Sequence, residues 1–145
     1  MLFLHMADVH SVEKRSYNMS QIKSKNTKPE LRVRSYLHKC SFRFRIHKKE
    51  LPGTPDIVLP KFKTAIFIHG CFWHGHENCR YFRLPKSKTE WWENKISGNS
   101  VRDVKNIKAL EDLGWRVIIL WECDLKPKVM ERNLEKLILQ LKNKL

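Results

Sequence analysis

Apolar residues along this chain follow two periods. Phe42, Phe44 and Ile46 alternate with Arg43, Arg45 and His47, the two-residue repeat of a half-buried strand. Asp56-Ile57-Val58-Leu59 follows the turn Leu51-Pro52-Gly53-Thr54-Pro55, and Thr64-Ala65-Ile66-Phe67-Ile68-His69 is closed by Gly70. Runs without polar alternation belong to strands covered on both faces. Residues 115–121 form another such run. Between these last two strands, residues 71–89 are irregular. Helix signals occupy residues 90–96 and resume after Ser100, where Val101, Val104, Ile107 and Leu110 recur every third position before Gly114. Residues 64–121 are therefore expected to form a crossover joining two parallel strands.

The remaining segments predict helices. Residues 11–23 are polar and basic, with Tyr17, Met19 and Ile22 apolar, and Ser24-Lys25-Asn26 breaks the helix. Thr27-Lys28-Pro29-Glu30 matches a capping box with Pro near the first turn. Val33, Tyr36, Leu37 and Cys40 then share a face, which places Cys40 in the core. A last amphipathic helix carries Met130, Leu134, Leu137, Ile138, Leu141 and Leu145. The order is helix, helix, three strands, helices, strand, helix: an α/β fold with a mixed sheet. With neither repeats nor a long linker, 145 residues suit one domain.

Charge narrows the partner. The chain has 29 Lys and Arg against 15 Asp and Glu, a formal +14. Between Lys14 and Lys49 stand seven Lys and five Arg with the single acid Glu30. Such a concentration predicts binding to a polyanion, above all nucleic acid. No apolar run approaches the roughly 18 residues that span a bilayer, and Met1-Leu2-Phe3-Leu4 is too short for a signal peptide. A cytoplasmic protein without membrane attachment is expected. In that reducing compartment Cys71, Cys79 and Cys123, with histidines nearby, read as metal ligands before disulfides, while Cys40 stands apart.

Cys71, His76 and Cys79 offer two thiolates and an imidazole within nine residues. Cys123 follows a strand parallel to the one ending at His69, so it meets Cys71 at one sheet edge. Together they form a candidate tetrahedral Cys₃His zinc site, structural because no coordination position stays open. His69 and His74 lie beside these ligands. Phe72-Trp73 and Trp91-Trp92 are either core or wedges for insertion between base pairs. Asp56 opens a strand after a tight turn, as a Mg²⁺ carboxylate does in phosphodiester hydrolysis, or it caps that turn. Glu30 serves the capping box, or reaches the active site from the inward end of its helix.

Taken together the segments resemble the very-short-patch-repair (Vsr) endonuclease family, bacterial DNA mismatch nickases with a restriction-endonuclease-like core. The resemblance rests on Met6-Ala7-Asp8-Val9-His10, Arg15-Ser16-Tyr17-Asn18-Met19, Leu51-Pro52-Gly53-Thr54-Pro55-Asp56 and Ile68-His69-Gly70-Cys71-Phe72-Trp73-His74. Thr89-Glu90-Trp91-Trp92, Gly114-Trp115-Arg116-Val117 and Trp121-Glu122-Cys123 complete it. It covers residues 6–145 as one domain and leaves 1–5 as a dispensable extension.

The resemblance implies hydrolytic nicking of one DNA strand 5′ to the thymine of a T:G mismatch, the product of 5-methylcytosine deamination. It implies Asp56 as the Mg²⁺ carboxylate with the Ile68 carbonyl as second ligand, two Mg²⁺ ions, His74 as general base, and His69 and Glu30 in support. Cys71, His76, Cys79 and Cys123 match the family's zinc ligands. Phe72, Trp73 and Trp92 match its intercalating aromatics, with Met19 and Ile22 entering from the minor groove. A monomer suffices, and links to a cytosine-5 methyltransferase and to general mismatch-repair proteins are implied.

Three departures stand out. Phe67-Ile68-His69 replaces the second acid and lysine usual in the nuclease superfamily, a change the Vsr family shares. Ile68 stands where some members have threonine. The spacing from His76 to Cys79 is one residue longer than in some relatives. The alternative reading is a zinc-stabilised DNA-binding module without catalysis; another makes zinc the catalytic metal, with His74 or His69 as a ligand.

Overall fold

A computed structural model describes residues 25–143. The helix expected over residues 11–23, with Met19 and Ile22, lies outside them, as do residues 1–5 and Leu145. The elements are α1 (Lys28–Lys39), β1 (Arg45–Ile46), β2 (Ile57–Leu59), β3 (Thr64–His69), α2 (Thr89–Asp112), β4 (Arg116–Trp121) and α3 (Met130–Lys142). Short 3-10 turns occupy Pro60–Phe62 and Glu122–Leu125. The sheet runs β1-β2-β3-β4, antiparallel across the first two pairings and parallel between β3 and β4, with His69 opposite Trp121. A mixed sheet flanked by helices matches a restriction-endonuclease-like fold. Among the described residues no helix is long and apolar enough to cross a membrane.

The continuous apolar character of β3 follows from cover on both faces. Ile66 packs into a core with Val33 and Leu37 of α1, Ile118 and Leu120 of β4, and Leu134, Leu137 and Leu141 of α3. Ala65 and Phe67, one step out of phase, meet Leu110 of α2 on the opposite face. Each fully buried leucine contributes roughly 2–3 kcal/mol of transfer free energy. Arg116 fastens β4 to the end of α3: its Nε donates to Thr64 Oγ1 (3.1 Å), and Nη1 donates to the carbonyls of Gln140 (2.7 Å) and Asn143 (3.1 Å).

Three expectations change. The two helix segments after residue 89 are one continuous helix, α2, and its Val101 and Val104 are 66% and 67% exposed. A three-residue step lags the helix by about 60°, so four such positions sweep about half its circumference and cannot all face inward. Cys40 is exposed, not core: it is the C-cap of α1, where the helical turn that would direct it inward has ended. The first strand is also shorter than the alternation from Phe42 suggests. Only Arg45 and Ile46 pair with β2, and as part of an edge strand Ile46 is 44% exposed.

Candidate active site and metal centre

Three clusters of potential ligands gather where β3 ends. The first comprises Glu30, His47 and Asp56, whose ligand atoms all lie within 4.8 Å of one another. The turn before Asp56 seats on α2: Gly53 has φ 75, and a Cβ there would stand 2.9 Å from the Cβ of Asn106. Only glycine meets both conditions without displacing α2. Asp56 Oδ2 accepts a 2.7 Å hydrogen bond from the Ile68 N–H, which draws the start of β2 to the end of β3.

Glu30 makes one half of the expected capping box, while its side chain turns away from Thr27. Its N–H donates to Thr27 Oγ1 (3.4 Å), the capping contact, while its buried carboxylate belongs to the cluster. Oε2 accepts from the Asn26 N–H (3.0 Å) and Arg34 Nη2 (2.9 Å), and stands 3.1 Å from His47 Nε2. Burial pushes the Asp56 carboxyl up from 3.8 to about 6. The Ile68 N–H opposes that rise, the Glu30 charge adds to it, and His47 and His74 draw it down. Arg34 already pairs with Glu30, so the Asp56 carboxylate is the costlier one to ionise, and the three ligand groups together could hold a divalent cation.

The second cluster is His69, His74 and Asp103. The imidazoles of His69, at the end of β3, and His74, in the following loop, stack 3.8 Å apart and 5° from parallel. His74 Nδ1 stands 2.6 Å from Asp103 Oδ2. An ionised carboxylate only accepts, so Nδ1 carries a proton, and in the neutral ring the lone pair is on Nε2. Burial, then the neighbouring His74 charge, lowers His69 from 6.5 to about 4, with Asp103 opposing. His69 is therefore neutral at pH 7. The loop is fixed to α2 by Asn99 Nδ2 donating to the Trp73 carbonyl (2.8 Å) and Ser100 Oγ donating to the His74 carbonyl (3.3 Å). Gly75 permits that contact: it has φ 60, and a Cβ would lie 2.8 Å from Ile96 Cγ2.

The third cluster unites Cys71, His76, Cys79 and Cys123, again within 4.8 Å. The parallel register that sets His69 against Trp121 brings Cys71 and Cys123 together. Cys123 Sγ is 3.5 Å from His76 Nδ1. Zinc bond lengths in a tetrahedral site imply ligand separations of roughly 3.5–3.8 Å, so the donor set and its spacing fit zinc. The longer His76-to-Cys79 spacing closes because Asn78 takes φ 55, a conformation asparagine tolerates. Burial raises the thiols of Cys71 and Cys123 above the ordinary cysteine range. A bound cation acts in the opposite sense. Trp121 stands between the last two clusters, stacked on His76 at 3.9 Å and edge-on to His69 at 5.2 Å.

The aromatic residues form one group. Phe72 is buried and meets Trp73 and Trp92 edge-to-face, each at 5.4 Å. Trp73 and Trp92 are half-buried, and Trp91 is 56% exposed with its ring 4.8 Å from Trp92.

Residues 7–80 match the family described as DNA mismatch endonuclease Vsr. The chain belongs to the Vsr family. It is 52% identical over 120 residues to the type II nicking enzyme V.XorIIP of Xanthomonas oryzae pv. oryzae, covering 83% of this chain and 88% of that protein. It is 48% identical over 139 residues to the type II nicking enzyme V.NmeAIP of Neisseria meningitidis, covering 95% of this chain and 99% of that one. To the DNA mismatch endonuclease Vsr of Escherichia coli it is 46% identical over 121 residues, covering 83% and 77%. Membership supports a nicking endonuclease activity in general.

Three residues at these clusters were given no site role by the sequence. His47 was legible only as the polar phase of a strand. Asp103 stands half-buried on α2 between Arg102 and Val104, with no motif around it. Trp121 closes an apolar strand run and reads as core. Only the fold places them: β2 begins beside His47, and the long α2 returns over the loop that carries His74.

Proposed function

We propose that this protein is a Mg²⁺-dependent DNA mismatch endonuclease, nicking one strand 5′ to the thymine of a T:G pair and so initiating very-short-patch repair. The observation that carries the reading is the adjacency of the Asp56 carboxylate cluster and the Asp103-oriented His74 in a Vsr-family chain. The names of the Escherichia coli and Xanthomonas relatives, mismatch endonuclease and nicking enzyme, point the same way.

Asp56, with the carbonyl of Ile68, would hold Mg²⁺, two ions being engaged with the DNA. Held there, the metal would supply charge neutralisation at the scissile phosphate and a more acidic water. A strand residue turns its N–H and C=O to the same edge, so the Ile68 carbonyl shares the side to which Asp56 is bonded. His74 Nε2 accepts the proton of the attacking water as its oxygen bonds to phosphorus and the ester bond on the other side breaks. Asp103 holds the ring and stabilises the imidazolium that results. Neutral His69, stacked on His74, fixes its plane without competing for the proton. Glu30 supports the metal-binding edge.

Cys71, His76, Cys79 and Cys123 would hold one structural Zn²⁺, fixing the loop that carries His74. Phe72, Trp73 and Trp92 act as a single wedge, Phe72 forming its buried base, with Met19 and Ile22 opposing it from the minor groove. A base step weakened by mismatch costs less to unstack, so the wedge favours the lesion. The reaction belongs to residues 6–145 as one domain, with residues 1–5 dispensable. A monomer suffices to cut one strand, and the neighbouring steps of repair link it to a cytosine-5 methyltransferase and the general mismatch-repair proteins. Asp56→Ala tests the reading: nicking should fall by orders of magnitude with T:G binding retained. An unchanged nicking rate would overturn it.

A further inference from the structure

Residues 45–50 fold back on themselves next to the carboxylate cluster. His47 adopts φ 47 and its N–H donates to the Asp56 carbonyl (3.3 Å), while the Lys48 carbonyl accepts from the Leu51 N–H (3.2 Å). The segment lines an open cavity of about 530 Å³ in which Arg45, Lys48 and Lys49 face a single acid, Glu50. Arg45 and Lys49 are exposed and Lys48 is half-buried. Among the described residues none of these three cations takes part in an ion pair. His47 joins this cavity to the catalytic cluster, since its ring stands 3.1 Å from Glu30 Oε2.

We propose that this cavity is a phosphate subsite, in which Arg45, Lys48 and Lys49 hold a backbone phosphate of the strand being cut, next to the scissile one. The inference rests on the DNA-nicking reading and adds to it a specific grip on the substrate. The cations line a cavity that His47 joins to the Glu30 and Asp56 cluster, and the backbone is fixed there by the contact of His47 with Asp56. Such contacts position the duplex and release counterions, but carry no sequence information. The subsite therefore serves affinity and strand register, leaving mismatch choice to other residues.

The test is DNA affinity as a function of salt, with the full chain and a labelled duplex containing one T:G pair, Ca²⁺ replacing Mg²⁺ to prevent cutting. The double variant Lys48→Ala/Lys49→Ala should lower the slope of log K against log salt by about 0.9, the loss of one phosphate contact. Its T:G-to-C:G affinity ratio should stay as in the wild type. A control pair on α3, Lys136→Ala/Lys142→Ala, should leave the slope as it was. An unchanged slope in the cavity variant, or an equal fall in the control, overturns the subsite while the nuclease reading stands. Failure of the wild-type chain to bind the duplex at any salt overturns both.

Discussion

Asp56→Asn should make the Mg²⁺-free protein more stable at neutral pH. Burial, aided by the Glu30 charge and opposed by the Ile68 N–H, raises this carboxyl from 3.8 to about 6. Between those values the folded chain binds more protons than the unfolded one. Stability is therefore lost as pH rises from about 4 through about 6, and the loss is complete by pH 7. At about 1.4 kcal/mol per pKa unit, the ionised carboxylate costs the fold about 3 kcal/mol. Asparagine keeps an oxygen to accept the Ile68 N–H and carries no charge. The variant should equal the wild type near pH 4 and exceed it by about 3 kcal/mol at pH 7, an upward Tm shift of roughly 6–12 °C for a chain of this size. Thermal unfolding from pH 4 to 8 without added Mg²⁺ measures the difference, and titration of the zinc ligands cancels between the two proteins. Adding Mg²⁺ should then raise the wild-type Tm and leave the variant unmoved. Equal stability at pH 7, or a less stable variant, would show that burial does not penalise the Asp56 charge.

Further expectations follow from the same geometry. Asp103→Asn should reduce nicking by roughly 10²–10⁴ while sparing DNA affinity, because an amide no longer fixes the proton on His74 Nδ1; single-turnover rates and binding measured side by side check this. Elemental analysis should find one equivalent of zinc in the wild type and none in Cys71→Ser, whose Tm should fall, whereas Cys40→Ser, at an exposed helix cap, should change neither. Leu137→Ala, at a fully buried position of α3, should cost roughly 2–5 kcal/mol in denaturant unfolding.

The sequence resolves what depends on local pattern. β3 is legible to the residue because cover on both faces gives an unbroken apolar run that Gly70 closes. The end of α2 is equally plain: Gly114 at φ 88 forms the cap, with the N–H groups of Gly114 and Trp115 donating to the carbonyls of Glu111 and Leu110. The middle of α2 is not. Gly98-Asn99-Ser100 reads as a break, yet Asn99 and Ser100 remain helical and use their side chains to hold the loop of Trp73 and His74. The polar residues that argue against a helix are the ones that tie it to the site. Asp56, His69 and His74 were accessible through motif and turn chemistry, and Cys123 through the parallel register. His47 and Asp103 come from sheet edge and helix return, contacts made across 17 and 29 residues that no local spacing encodes.

The most direct test of the account is a strand-labelled nicking assay on duplexes differing at one pair, T:G against C:G, with Mg²⁺ and with EDTA, across methyltransferase-type sequence contexts. A single Mg²⁺-dependent cut 5′ to the mismatched thymine, absent from the C:G duplex, is the expected result. Binding of the T:G duplex with no cut in any context would contradict it, leaving a zinc-stabilised DNA-binding module in place of an enzyme.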